Sequence, residues 1–135
     1  MTLENLVKAK LLHQEAPDKS EITGLLKSAN ERLKDSENAQ LAFSSRFDLA
    51  YNAAHGFALA GLRVNGFRTD KRYLVFQCLP YTAGLEKTDI RIFSLCHEKR
   101  NLAEYEGYFD VDESLLIALI KATKRLGQSF GDSEL

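Results

Sequence analysis

Apolar residues recur at helical spacing along almost the whole chain, and strand-type alternation is nearly absent, which restricts the fold to packed helices. Leu3, Leu6, Val7, Ala9 and Leu11 predict a short first helix that closes before Pro17. Asp18, with Glu21 as its partner three residues on, predicts a second helix to about Glu37, apolar at Ile22, Leu25, Leu26, Ala29 and Leu33. Ser44 or Ser45 caps a longer third helix, apolar at Phe47, Ala50, Tyr51, Ala54, Ala58 and Leu62, which stops at Gly66. Asp70 caps a fourth, from Lys71 to about Leu79, and Pro80 breaks it. Thr88 or Asp89 opens a fifth, Ile90 to about Tyr105, with Gly107 just past its end. Asp112 caps a sixth that turns Leu115, Leu116, Leu119, Ile120 and Thr123 inward. The expected fold is all-α, an antiparallel bundle of five to six helices whose third and fifth members are the most apolar.

With 135 residues and 44% hydrophobic content, one domain over residues 1–135 has enough apolar side chains for its own core, with residues 130–135 as a frayed tail. A formal net charge of -1 excludes indiscriminate polycationic binding to nucleic acid, so any such affinity must be local. Cys78 and Cys96 lie inside apolar helical pattern and form no disulfide framework. Glu4, Lys8 and Lys10 interrupt the first apolar positions, which argues against a signal peptide, and the apolar run Leu115 to Ile120 is too short to span a bilayer. A cytoplasmic location without membrane contact is expected. His13, His55 and His97 have no paired-ligand spacing and no CxxC occurs, so neither a metal nor a cofactor is expected. Glycine-rich phosphate loops and GxSxG are absent too.

Two polar stripes interrupt the apolar pattern. Asp48, Asn52 and His55 share one face of the third helix, and His97, Arg100, Asn101 and Glu104 share one face of the fifth. Polar groups on buried helices need polar partners, so packing the two helices together would satisfy both stripes, with Asp48 as counter-ion for Arg100. The plainer reading makes Arg100 and Glu104 a surface pair worth about 0.3 to 0.5 kcal/mol and His55 a core histidine with one satisfied nitrogen. Arg63, Arg68, Lys71 and Arg72 cluster around the bend after the third helix, with Phe67 and Tyr73 among them. They form either an RNA-facing rim or a solvated loop.

The segment Arg100-Asn101-Leu102-Ala103-Glu104-Tyr105 resembles the signature of the HEPN superfamily, in which an Arg, usually followed by Asn, precedes a His by a few residues. Tyr105 stands where that His is expected. The similarity extends over about Ser45 to Phe130 and includes Phe47-Asp48-Leu49-Ala50-Tyr51-Asn52-Ala53-Ala54-His55 in the third helix. It implies a helical bundle that pairs as a homodimer, with two Arg-Asn segments at a shared cleft. It implies an RNA or nucleotide ligand, and a ribonuclease, a toxin of a toxin–antitoxin pair, or a partner of a minimal nucleotidyltransferase. In some relatives a Tyr near the signature is modified with a nucleotide, a part that Tyr105 or Tyr108 would take.

Metal-independent RNA cleavage needs a base for the 2′-hydroxyl, a proton for the leaving oxygen and a cation for the phosphate. Arg100 suits the phosphate and Asn101 the phosphate or ribose. A phenol with an ordinary pKa of about 10 is a poor base, with only about one part in a thousand ionised at neutral pH, yet it donates hydrogen bonds and stacks on bases. His97 or His55 would then supply the imidazole, with Glu104 as a further candidate base if buried. The alternative is a non-catalytic module that binds a nucleotide or a partner, on the antitoxin side or beside a transferase.

Overall fold

The computed structural model describes residues 2–107 and 110–130. They form an all-α bundle: α1 (Leu3–Lys8), α2 (Lys19–Ser36), α3 (Phe43–Val64), α4 (Arg72–Gln77), α5 (Leu79–Thr82), α6 (Lys87–Glu106) and α7 (Glu113–Gln128). Among the described residues, none of these helices is long and apolar enough to cross a membrane. Tyr108 and the tail from Gly131 onward lie outside the described residues.

α3 is the hub. Phe47, Ala50, Tyr51, Ala53, Ala54, Phe57, Ala58 and Ala60 are buried on it, with α2 along one side, α7 along another, and α4 and α6 beside its first half. Small residues on α3 let the backbones approach closely. A Cβ added at Gly56 would lie 3.2 Å from the Ala29 Cβ of α2, so the contact between these helices depends on the missing side chain. Leu26, Phe76, Phe93, Leu116, Leu119 and Leu126 complete the main core. A smaller cluster of Leu6, Leu12, Leu62, Phe67 and Cys78 seats the N-terminal segment.

Helix starts divide into two kinds. At α2 and α7 the local signals hold: Asp18 accepts from the Ser20 and Glu21 backbone N–H groups, and Asp112 accepts from that of Leu115 at 2.9 Å. Thr2 likewise caps α1, accepting from the Asn5 N–H at 3.1 Å, whereas α3 to α6 have no side-chain cap. α3 begins at Phe43 after an Ala42 that offers no side-chain cap, so Ser44 and Ser45 fall inside the first turn. Arg46 Nε instead donates to the Ser36 carbonyl at 2.8 Å and ties this turn to the end of α2. α4 starts at Arg72, and Thr69 rather than Asp70 accepts from the Lys71 N–H. Pro80 opens α5, because the N–H it lacks has no intrahelical partner in a first turn. α6 begins at Lys87, ahead of Thr88 and Asp89. Asp89 is buried and accepts from Arg125 of α7 at 2.6 and 2.9 Å instead of capping. Gly107 ends α6 in the left-handed region, at φ 68°.

An unforeseen two-residue ladder joins β1 (His13–Gln14) antiparallel to β2 (Phe67–Arg68), too short to register as alternation. Beside it, Arg63 is 1% exposed and its donors are all engaged. Nε donates to Glu21 at 2.7 Å, Nη1 to the Glu15 and Phe67 carbonyls at 3.0 and 3.2 Å, and Nη2 to the Ala16 carbonyl at 2.8 Å. Arg68 pairs with Glu15 at 2.9 Å and with Glu21. These contacts correct two expectations. Glu21 does not reach back to its own helix cap, because two guanidiniums compete for its carboxylate and hold its pKa below the usual range. Of the four basic residues expected at a rim, Arg63 is buried with its donors engaged and so faces no ligand, while Arg68 is partly exposed and already paired with two carboxylates.

Arg63→Ala removes the cation and leaves three carbonyls without their donor. Urea unfolding is expected to show a loss of about 3 to 5 kcal/mol, and Arg63→Lys to recover less than half, since an ammonium lacks the planar fork.

Candidate functional site

The polar stripe on α3 meets α6 at Asp48, as its spacing predicts, but α4 supplies the partners of Asn52 and His55. Arg100 Nε donates to Asp48 at 3.4 Å and Arg100 Nη1 to Glu104 at 3.1 Å, so this guanidinium already faces two carboxylates. Asn52 is engaged from α4, its Oδ1 accepting from Arg72 Nη1 at 3.1 Å, while its amide donates to the Asp48 carbonyl. His55 packs edge-on against Phe76 at a centroid distance of 6.0 Å.

Tyr51 lies at the centre of this cluster. It sits between Asp48 and His55 on the same helix face, and its buried hydroxyl shares a 2.9 Å hydrogen bond with His97 Nδ1. Arg100 Cζ is 5.1 Å and Arg72 Cζ 5.9 Å from its ring centroid. Burial raises the Tyr51 pKa against the pull of these cations, so the phenol remains protonated. The other nitrogen of His97, Nε2, faces the Asn101 amide at 3.1 Å. An amide N–H donated there needs a lone pair on Nε2, so the ring proton of neutral His97 belongs on Nδ1, directed at the Tyr51 oxygen.

Both central imidazoles are held neutral. Burial, then Arg72, Arg100 and His97, push His55 down to about 4. Burial, then Arg100 and Arg72, lower His97 below the ordinary imidazole range.

Beside His97 a groove of about 740 Å³ opens between α4 and α6, lined by Tyr73, Arg91, Ser94, Leu95, His97, Glu98, Asn101, Leu102, Tyr105 and Glu106. Tyr73 stands against the His97 ring at 5.7 Å and is 53% exposed; Tyr105 is 79% exposed at the rim. Of the expected site residues, Asp48, Asn52, His55, His97, Arg100, Asn101 and Glu104 therefore fall in or beside one cluster, and Arg72 joins them. Tyr105 reaches only the groove, Lys71 lies exposed before α4, and Tyr108 is outside the described residues. Tyr51 escaped notice because its ring belongs to the apolar pattern. Its position between Asp48 and His55 was the available signal, since a buried tyrosine hydroxyl needs a partner. Arg91 and Glu98 were also missed, being indistinguishable in sequence from solvated helix positions, whereas Tyr73 is noted there only beside the basic cluster.

Among the described residues, no three His, Cys, Asp or Glu side chains come together as a metal site. No family model, curated protein or solved structure matches the chain.

His55 links the cluster to stability. Its folded pKa lies below its unfolded value of about 6.5, so the unfolded chain binds more protons and stability falls as pH drops through that value towards about 4. Resistance to chemical unfolding is expected to fall steadily between about pH 6.5 and 5, and His55→Gln to flatten part of that slope, His97 acting in the same direction.

Proposed function

We propose that the chain is a HEPN-like RNA-acting protein, a metal-independent endoribonuclease of the toxin kind. One observation carries this reading: a neutral imidazole, His97, is fixed by Tyr51 and Asn101 at the edge of a groove with Arg72 and Arg100 across the same phenol ring. A base and two cations in one cluster are what transesterification at a phosphate requires.

In this reading a ribose 2′-hydroxyl displaces the Asn101 amide from His97 Nε2 and gives its proton to that nitrogen. The 2′-oxygen forms its bond to phosphorus as the bond to the 5′-oxygen breaks, and the leaving oxygen takes up a proton from water. Tyr51 keeps the imidazole oriented through Nδ1. Arg72 is the principal phosphate ligand, because among the described residues it faces no carboxylate, whereas Arg100 faces two. Arg100 then serves chiefly to orient Asp48 and to repel protonation of the histidines. Homodimer formation, and an antitoxin or a minimal nucleotidyltransferase as partner, belong to the same reading.

A second reading has its own support. Both nitrogens of His97 are occupied and Arg100 is doubly paired, an arrangement that also suits a module binding a nucleotide without turnover.

Cleavage of a mixed RNA pool in EDTA separates the two. The nuclease reading expects cleavage by the wild type and a loss of about a hundredfold or more in His97→Ala and Arg72→Ala, with the fold retained by circular dichroism. Absence of cleavage, with RNA binding that weakens in Arg72→Ala, selects the second reading. Absence of both cleavage and binding removes both.

A further inference from the structure

Several charged side chains of this molecule are matched to one another. Arg63, Arg68, Lys99, Arg100, Lys124 and Arg125 each face a carboxylate within 3.4 Å. The groove between α4 and α6 departs from that pattern. Among the described residues, the side chains of Arg91, Glu98 and Glu106 make neither an ion pair nor a hydrogen bond, although all three line it. Leu95 and Leu102 give it an apolar floor, and Tyr73 and Tyr105 stand exposed along it.

Resting on the RNA-acting reading, we propose that this groove is a nucleobase pocket selective for guanine in single-stranded RNA. Charge disfavours a phosphate as its occupant. Two carboxylates line it against one guanidinium, that of Arg91, whereas Arg72 and Arg100 are not among its lining residues. A nucleotide bound at the cluster therefore directs its phosphate towards Arg72 and its base into the groove. Exposed phenol rings beside an apolar floor suit the flat face of a base, which every base has, so stacking there supplies affinity without choice.

Choice comes from Arg91 and Glu98. They lie two helical turns apart on one face, about 10 Å along the axis, so long side chains converge on a ring between them from either end. A carboxylate accepts from two adjacent N–H groups, which guanine offers at N1 and N2. Adenine offers an amino group beside a bare ring nitrogen that a carboxylate repels. The Arg91 guanidinium donates to guanine O6 and N7, the acceptors for which its fork is best matched. Cytosine offers an amino group beside a bare ring nitrogen and uracil one N–H between two carbonyls, so neither gives the carboxylate two adjacent donors.

The test is fluorescence anisotropy with labelled 2′-O-methyl pentamers AAGAA, AAAAA, AACAA and AAUAA in EDTA, which lack the 2′-hydroxyl and so survive any cleavage. The wild type is expected to bind AAGAA about tenfold or more tightly than the others. Glu98→Gln should abolish that preference while keeping the affinity for the other three, and Tyr105→Ala should weaken all four about tenfold. Because the chain has no tryptophan, quenching of tyrosine emission on binding reports the stacking directly. Equal affinity for the four pentamers, or a preference that survives in Glu98→Gln, overturns the guanine pocket. Arg72→Ala reports on the RNA-acting reading by itself: it should weaken all four equally and keep the preference. Binding of all four that is unchanged in Arg72→Ala removes the phosphate assignment while leaving the base pocket standing, and failure of every pentamer to bind removes both.

Discussion

A helix buried along most of its length admits polar atoms only where a partner waits inside, and α3 imposes that condition on everything packed against it. Alanine and glycine take seven of its twelve buried positions, so neighbouring backbones come close and leave little room for water. Two of its large polar side chains, Tyr51 and Arg63, are fully buried, and each dictates the structure around it. Arg63 collects the chain before α2, the first turn of α2 and the β2 strand onto one guanidinium. Tyr51 fixes the rotation of α6 by fixing His97, and His97 in turn fixes Asn101. The first arrangement is sealed by carboxylates and is purely architectural. The second is open on one side to a groove.

What was legible in the sequence was what depends on neighbours in the sequence. Asp18 and Asp112 cap because a carboxylate before a helix reaches the N–H groups two or three residues on, and no tertiary partner competes. Gly107 ends α6 because it tolerates positive φ. Asp48 and Arg100 could be paired from spacing alone, since two polar stripes on apolar helices have few other destinations. The failures have the opposite cause. Asp89 resembles a cap but is drawn into the bundle by Arg125, 36 residues away. Arg63 and Arg68 look like surface cations until Glu15 and Glu21 are folded beside them, a contact that nothing local announces. Apolar periodicity likewise hid Tyr51, because a period records where a ring lies and not where its hydroxyl points.

The electrostatics of the open cluster follow from its cations. A positive charge beside an imidazole disfavours a second positive charge, and Arg72 and Arg100 act on both His55 and His97 with burial in the same direction. Neutrality suits a histidine that accepts a proton and excludes one that must already hold a proton to donate it. Under the RNA-acting proposal, His97, neutral and one helical turn before Arg100, would take the part of the base from the inner side of the arginine, bound to the core through Tyr51. Tyr105, beyond the arginine, is then left to the groove, where a phenol has the advantage of an imidazole: it stacks as well, donates a hydrogen bond, and adds no charge to a cluster that already repels one.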